Sequence, residues 1–232
     1  MSGSAPEALV AADGHAASVE PGTDVLRALG ALLAYPDGGL RDALPEIADS
    51  VRASSLIPAH DRDALLALVA DIAAADPLEA EEQYVERFDR GKATSLHLFE
   101  HVHGEARDRG QAMVELKALY ERAGLRLAAN ELPDYLPVVL EYLSCRSLAE
   151  ASELLGECAH ILRSIGEALA RHGSRYAAVP AALLGLIGRD GLAPEAGRRA
   201  PEPEDVDRSW QEPPAFGPDS PSPAPSRGNS QS

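Results

Sequence analysis

Three histidines stand within one short stretch, "HLFEHVH", at His97, His101 and His103. Imidazole binds metals and exchanges protons near neutral pH, and a four-residue offset puts His97 and His101 on one face of a helix. The chain also carries two Glu-x-x-His pairs, Glu100 with His103 and Glu157 with His160. A di-iron carboxylate bundle takes that spacing from two of its helices and single glutamates from the other two, for which Glu82 and Glu141 are the nominal candidates. Two features weigh against this chemistry. With seven histidines and 37 acidic residues, such pairs arise by chance, and Gly104, directly after His103, ends a helix where the bundle needs its motif well inside one. Cys145 and Cys158 cannot alone make a four-ligand zinc site and read as reduced thiols in the core. "GKAT" at Gly91 lacks the upstream glycine of a phosphate loop, and no Gly-x-Ser-x-Gly elbow occurs. The expectation is therefore no catalytic centre, no metal and no cofactor held by the chain itself.

A second stretch, "NELPDYLPVVLEYLS" at residues 130–144, points to binding rather than catalysis. Leu136 to Leu143 is apolar almost all round, the pattern of a buried helix. Pro137 inside the helix would cost about 3 kcal/mol. With Asp134 as the N-cap, Pro137 instead falls in the first turn, where its missing N–H has no partner to lose. Asp134 is thus expected to cap, and Pro133 to stiffen the approach. Capping explains neither Glu141 inside the apolar run nor Tyr135 at the first turn. A carboxylate, a phenol and rigid prolines beside an apolar groove suit an amphipathic or basic peptide.

The elements that must position these residues are helical. The 232 residues carry a formal net charge of −16, with 21 Lys plus Arg against 37 Asp plus Glu. That balance disfavours nucleic acid, whose binding rests on neutralising phosphates. No run is long and apolar enough for a membrane span. The first residues show neither a basic nor an apolar signal region, so the expected location is cytoplasmic. From Pro194 onward nine of the 18 prolines occur among almost no aliphatic residues, so residues 191–232 are expected to be a disordered, acidic tail and residues 1–21 a disordered leader. Residues 22–190 are expected to form one compact all-α domain of six to eight helices.

The stripes within that domain are Val25, Leu29 and Leu32, then Leu65, Leu68 or Val69, and Ile72. Asp76 is expected to cap a new helix with Pro77 in its first position, carrying Leu78, Val85 and Phe88 on one face with Tyr84 beside Phe88. Ala106 to Tyr120 forms another helix, ended by Gly124 in a left-handed cap. A long helix then runs from Leu148 to Leu169, followed by "YAAVPAALLGLIG".

"YVERFDRGKATSLHLFEHVHGEARDRGQAMVELKALYERAGL" followed by "ELPDYLPVVLEYLS" closely resembles the NarJ family, the assembly chaperones of membrane-bound respiratory nitrate reductase, and the resemblance runs from about Val25 to Ile187. It implies an all-helical fold shared with the TorD and DmsD chaperones of molybdoenzymes. It implies no enzymatic activity. The partner it implies is the catalytic α subunit of nitrate reductase, notably its N-terminal segment, kept competent for insertion of its iron-sulfur cluster and molybdenum cofactor before docking on the membrane subunit. The wider superfamily has a Pro-Asp-His type motif at its leader-peptide site; here it is Pro133, Asp134 and Tyr135, with tyrosine replacing histidine. A Tyr-x-x-Leu-Phe type signature is matched by Tyr84, Arg87 and Phe88, with arginine in the apolar place. The expected peptide site is then Tyr84, Arg87, Phe88, Glu131, Pro133, Asp134, Tyr135 and Glu141. Competing readings are the di-iron protein above and a helical scaffold for some other partner.

Overall fold

The buried stretch that the prolines introduce is the centre of the molecule. The computed structural model describes residues 9–11, 22–102, 106–127, 131–189 and 191–192. In it the helix Leu136–Ser144 (α6) buries Leu136 through Leu140, Tyr142, Leu143 and Ser144, leaving only Glu141 partly open. Before it come α1 (Asp24–Leu32), α2 (Gly38–Ala53), α3 (Ala59–Ala74), α4 (Pro77–Phe88) and α5 (Ala106–Arg122); after it come α7 (Leu148–Glu157), α8 (Ala159–Arg171) and α9 (Ala178–Leu186). One-turn 3₁₀ helices lie at Lys92–Thr94, Leu98–Glu100 and Arg175–Ala177. The fold is all-α, as the periodicity requires.

α1 lies along α6, and packing passes from α1 to α2, α3, α9 and α8 in turn. The close approach of α1 to α6 depends on Gly30, where an added Cβ would stand 3.1 Å from the Pro137 carbonyl oxygen and 3.2 Å from Leu140 Cβ. At the α1 start, the Thr23 hydroxyl donates to the Ser144 carbonyl at the end of α6, 2.8 Å away. Asp76 accepts from the N–H groups of Leu78 and Glu79, with Pro77 in the first helical turn, so that cap is as expected. Gly124 has φ +75° after α5, again as its position implies.

Three local expectations are corrected, and one helix was not anticipated. Leu78 is 65% exposed, and α4 buries Tyr84 and Phe88 instead. The stripe from Leu148 to Leu169 is two helices, because Cys158, at φ −85° and ψ 0°, ends α7 and starts α8. Its N–H donates to Leu154 and its carbonyl accepts from Ile161 and Leu162. This break leaves the apolar spacing undisturbed, so Leu155 and Leu162 are buried on either side. α2 belongs to none of the stripes above, although Leu40, Leu44, Ile47 and Val51 repeat at helical intervals; Pro45 within it is a residue that ordinarily ends a helix.

The third correction concerns the N-terminal segment, residues 1–21. Leu9–Ala11 (β1) pairs antiparallel with Leu125–Leu127 (β2), Leu9 facing Leu127. Two strands this short are marginal unaided. They are held by burial of Leu9 and by its N–H, which donates to Glu141 Oε2 at 3.1 Å. The rest of residues 1–21, and residues 193–232, lie outside the described residues.

Candidate functional site

Asp134 does not cap α6. The N-cap position is Tyr135, whose side chain makes no capping bond, and Pro137 is the second helical residue. Pro137 is harmless there for the expected reason: its amide has no intrahelical partner. The Asp134 side chain turns inward, fully buried, to the 95–101 segment. Oδ2 accepts from the Phe99 N–H at 3.1 Å, Oδ1 is 3.3 Å from His97 Nδ1, and Arg109 lies 4.0 Å away. Backbone bonds from Leu98 N–H to the Asp134 carbonyl and from Leu136 N–H to the Leu96 carbonyl complete an antiparallel bridge between His97 and Tyr135. A buried carboxylate needs such partners, and local sequence could not reveal them because they lie 35 and 37 residues away.

This bridge separates the first two histidines of the metal reading. His97 is extended at φ −86° and ψ 105° rather than helical, so it shares no helix face with His101, whose Nε2 is 2.9 Å from the Ser95 carbonyl. Glu100 sits in a single 3₁₀ turn, bonded by the Ser95 hydroxyl at 2.6 Å and by Arg109 at 3.4 Å. His103 lies outside the described residues. Glu157 and His160 flank the Cys158 break, and Glu82 is exposed on α4. Among the described residues no group of three or more His, Cys, Asp or Glu is placed to hold a metal ion.

The bridge instead presents Tyr135 and His97 to a groove of about 1140 Å³ between α1, α2, α4 and the start of α6. The floor is apolar, from Ala28, Ala31, Leu40, Ile47, Leu96 and Pro137. Seven carboxylates line it among the described residues, from Asp24 and Asp37 to Glu131 and Glu141, against one guanidinium, Arg27. Tyr35 and Leu132 are 44% and 45% exposed at its margin. Lining residues run from Asp37 to Ala53, the length of α2. Its 16 residues span roughly 24 Å at 1.5 Å per residue. Small-molecule pockets hold about 300–1,000 Å³, so the size and length suit a peptide helix.

Of the expected site residues, Tyr84, Phe88, Glu131, Tyr135 and Glu141 meet in this groove. Three do not line it. Arg87 lies over the Tyr176 ring, 5.7 Å from its centroid, Pro133 uses its carbonyl to accept from Tyr120 Oη at 2.7 Å, and Asp134 faces the 95–101 segment. The sequence reading missed Tyr35, His97 as a lining residue, and the acids of α2, Glu46 and Asp49. The signal for the two acids was the amphipathic pattern of α2.

The polar cluster under the bridge shifts two pKa values. His97 is raised above its ordinary 6.5 chiefly by the hydrogen bond with Asp134, which outweighs the opposing effect of burial. Glu100 is lowered from 4.5, first by the Ser95 hydroxyl and, against partial burial, by Arg109. A raised histidine contributes stability that is complete below its unfolded pKa and is lost as pH rises through the folded value; a lowered carboxylate contributes stability above its unfolded pKa and loses it as pH falls through the folded value. Stability from this cluster is therefore greatest between about pH 4.5 and 6.5. Urea titrations are expected to show unfolding free energy declining from pH 6.5 to 8, and His97→Gln should flatten that decline. An identical decline in the variant would assign it to other groups.

The family model described as the nitrate reductase delta subunit matches residues 38–181. The chain belongs to that family. It is 46% identical over 187 residues to the nitrate reductase molybdenum cofactor assembly chaperone NarJ of Escherichia coli K12, covering 78% of this chain and 79% of that protein. The probable assembly chaperone NarW of the same organism is 42% identical over 71% of this chain and 68% of its own length. The probable NarJ of Bacillus subtilis is 31% identical over 71% of this chain and 89% of its own. The resemblance to NarJ in the sequence is thus borne out. These delta subunit family relatives are named as molybdenum cofactor assembly chaperones. No helix among the described residues is long and apolar enough to cross a membrane.

Proposed function

We propose that this chain is an assembly chaperone for respiratory nitrate reductase, acting in the cytoplasm on the α subunit before it docks on its membrane partner. It takes the N-terminal segment of the apo α subunit as an amphipathic helix, and holds the subunit competent for insertion of the iron-sulfur cluster and molybdenum cofactor. The observation that carries this reading is the groove. Its apolar floor matches the apolar face of such a helix, and its carboxylate rim matches basic residues on the other face while steering the segment in.

Calorimetric titration with a synthetic peptide of the N-terminal segment of the nitrate reductase α subunit from the same organism, beside a scrambled peptide, tests it. The native peptide is expected to bind, the scrambled one to bind at least tenfold more weakly, and affinity to fall with salt. The double variant Glu46→Lys, Asp49→Lys is expected to weaken binding about tenfold or more, since like charges across an interface are strongly unfavourable. Equal binding of native and scrambled peptides would overturn the reading and leave a helical scaffold for another partner.

A further inference from the structure

The hydroxyl groups under the groove form a chain whose direction is fixed by chemistry. Tyr84 Oη is 2.7 Å from the Leu33 carbonyl oxygen. A carbonyl only accepts, so the single Tyr84 proton is donated there. Tyr84 Oη is also 3.0 Å from Tyr135 Oη. Having spent its proton, Tyr84 must accept in this second bond, and Tyr135 must donate. Both phenols stay protonated at neutral pH, because burial raises their pKa values. The outermost member of the chain, Tyr135 Oη, therefore keeps only acceptor capacity, and no described residue is seen to donate to it.

What surrounds that oxygen has the same polarity. The carboxylates of Glu131 and Asp89 act electrostatically on the Tyr135 hydroxyl, and both line the groove. Tyr35 stands edge-on to Tyr84, with ring centroids 5.6 Å apart, and its own hydroxyl donates away, to Glu81 at 3.0 Å. Its exposed ring offers a π face, which attracts cations. His97 holds the Tyr135 ring from the other side, 5.3 Å between centroids. An anion or a carbonyl brought here would meet an acceptor and two negative charges. A cationic nitrogen would meet a hydrogen-bond acceptor, two carboxylates and an aromatic wall.

We infer that Tyr135, Glu131, Asp89 and Tyr35 form a subsite for one cationic nitrogen of the client segment, with Tyr135 Oη accepting its N–H. This rests on the client-binding reading above and specifies it. The cation has two possible sources, the α-ammonium of the client chain or a lysine or arginine side chain within the segment.

The test uses the full chain and Tyr135→Phe, which keeps the ring against His97 and removes the hydroxyl, and with it both the free acceptor and the donation to Tyr84. Each is titrated with four versions of the α-subunit peptide: native with a free amine, N-acetylated, each basic side chain replaced in turn by norleucine, and scrambled. Thermal melts verify that the variant is folded. One modification is expected to weaken binding to the wild type about tenfold, in line with a charge-assisted hydrogen bond, and to have little further effect on Tyr135→Phe. Loss on acetylation identifies the α-ammonium, and loss on a norleucine substitution identifies that side chain. If every modified peptide loses equally in both proteins, Tyr135 does not read the cation and the inference fails while the client reading stands. If the native peptide binds no better than the scrambled one, the client reading fails and takes the subsite with it.

Discussion

Replacing Asp134 by alanine is expected to lower the free energy of unfolding by about 3 kcal/mol, well beyond the roughly 1 kcal/mol of a lost helix cap. The carboxylate is wholly buried and bonded at once to the Phe99 N–H and His97, with Arg109 at the margin of ion-pair distance. Hydrogen bonds to charged groups contribute about 1.5–3 kcal/mol each, and a buried N–H left without its acceptor adds a desolvation penalty. The backbone bonds of the His97–Tyr135 bridge do not involve the Asp134 side chain, so the loss is expected to stay near about 3 kcal/mol. Asp134→Asn keeps one acceptor oxygen for Phe99 and should lose roughly half as much. Urea denaturation at pH 7 measures both, and a loss near 1 kcal/mol in the alanine variant would restore the capping account. Peptide affinity should fall too, at a temperature where the variant is fully folded, because Asp134 positions two lining residues, His97 and Tyr135.

That residue marks the boundary of what sequence could reveal. Elements defined by local chemistry were legible: the Asp76 cap with Pro77 behind it, the Gly124 turn, and the burial of Leu136 to Leu143 each depend on neighbours within a few residues. Asp134 was singled out but given the wrong structural partner. An aspartate before a helix has a local role available, and only the folded chain shows that Phe99 and His97 take its oxygens instead. Glu141 was anomalous in the apolar run for a similar reason, since its partner is the Leu9 N–H, 132 residues earlier. The metal reading failed on backbone conformation, because two helical-looking histidine spacings fall on an extended bridge and on a helix break. One wall of the groove was invisible for want of α2, which keeps its apolar repeat although Pro45 stands within it. The acids on α2 gain a role only once α1 is packed beside that helix and the groove forms. Family resemblance supplied the client, and the groove supplies the physical reason such a client would fit.

Gly30→Val is expected to cost about 2–3 kcal/mol of stability and most of the peptide affinity. A Cβ at this position would lie 3.1 Å from the Pro137 carbonyl oxygen and 3.2 Å from Leu140 Cβ, too close for either atom to stay in place. α6 cannot yield easily, since nearly every one of its side chains is in the core and interiors are close-packed. α1 must therefore move outward. Overpacking of this kind costs about 1–3 kcal/mol, and valine's branched carbons press harder than a single methyl. Gly30→Ala separates the contact from backbone effects: alanine gains about 1 kcal/mol of helix propensity over glycine, which offsets part of the clash. The alanine variant should thus lie near the wild type or slightly below it, and valine far below both. Gly38, at the start of α2 with nothing within 4 Å of an added Cβ, provides the control, and Gly38→Ala should change neither stability nor binding appreciably. Since Gly30, Ala28 and Ala31 all contribute to the groove, displacing α1 alters the floor on which the client helix would rest. Urea titration and calorimetry on the same samples distinguish the outcomes. Valine tolerated within about 0.5 kcal/mol would mean that the α1–α6 contact is loose, and lost stability with unchanged affinity would mean that α1 does not form the binding floor.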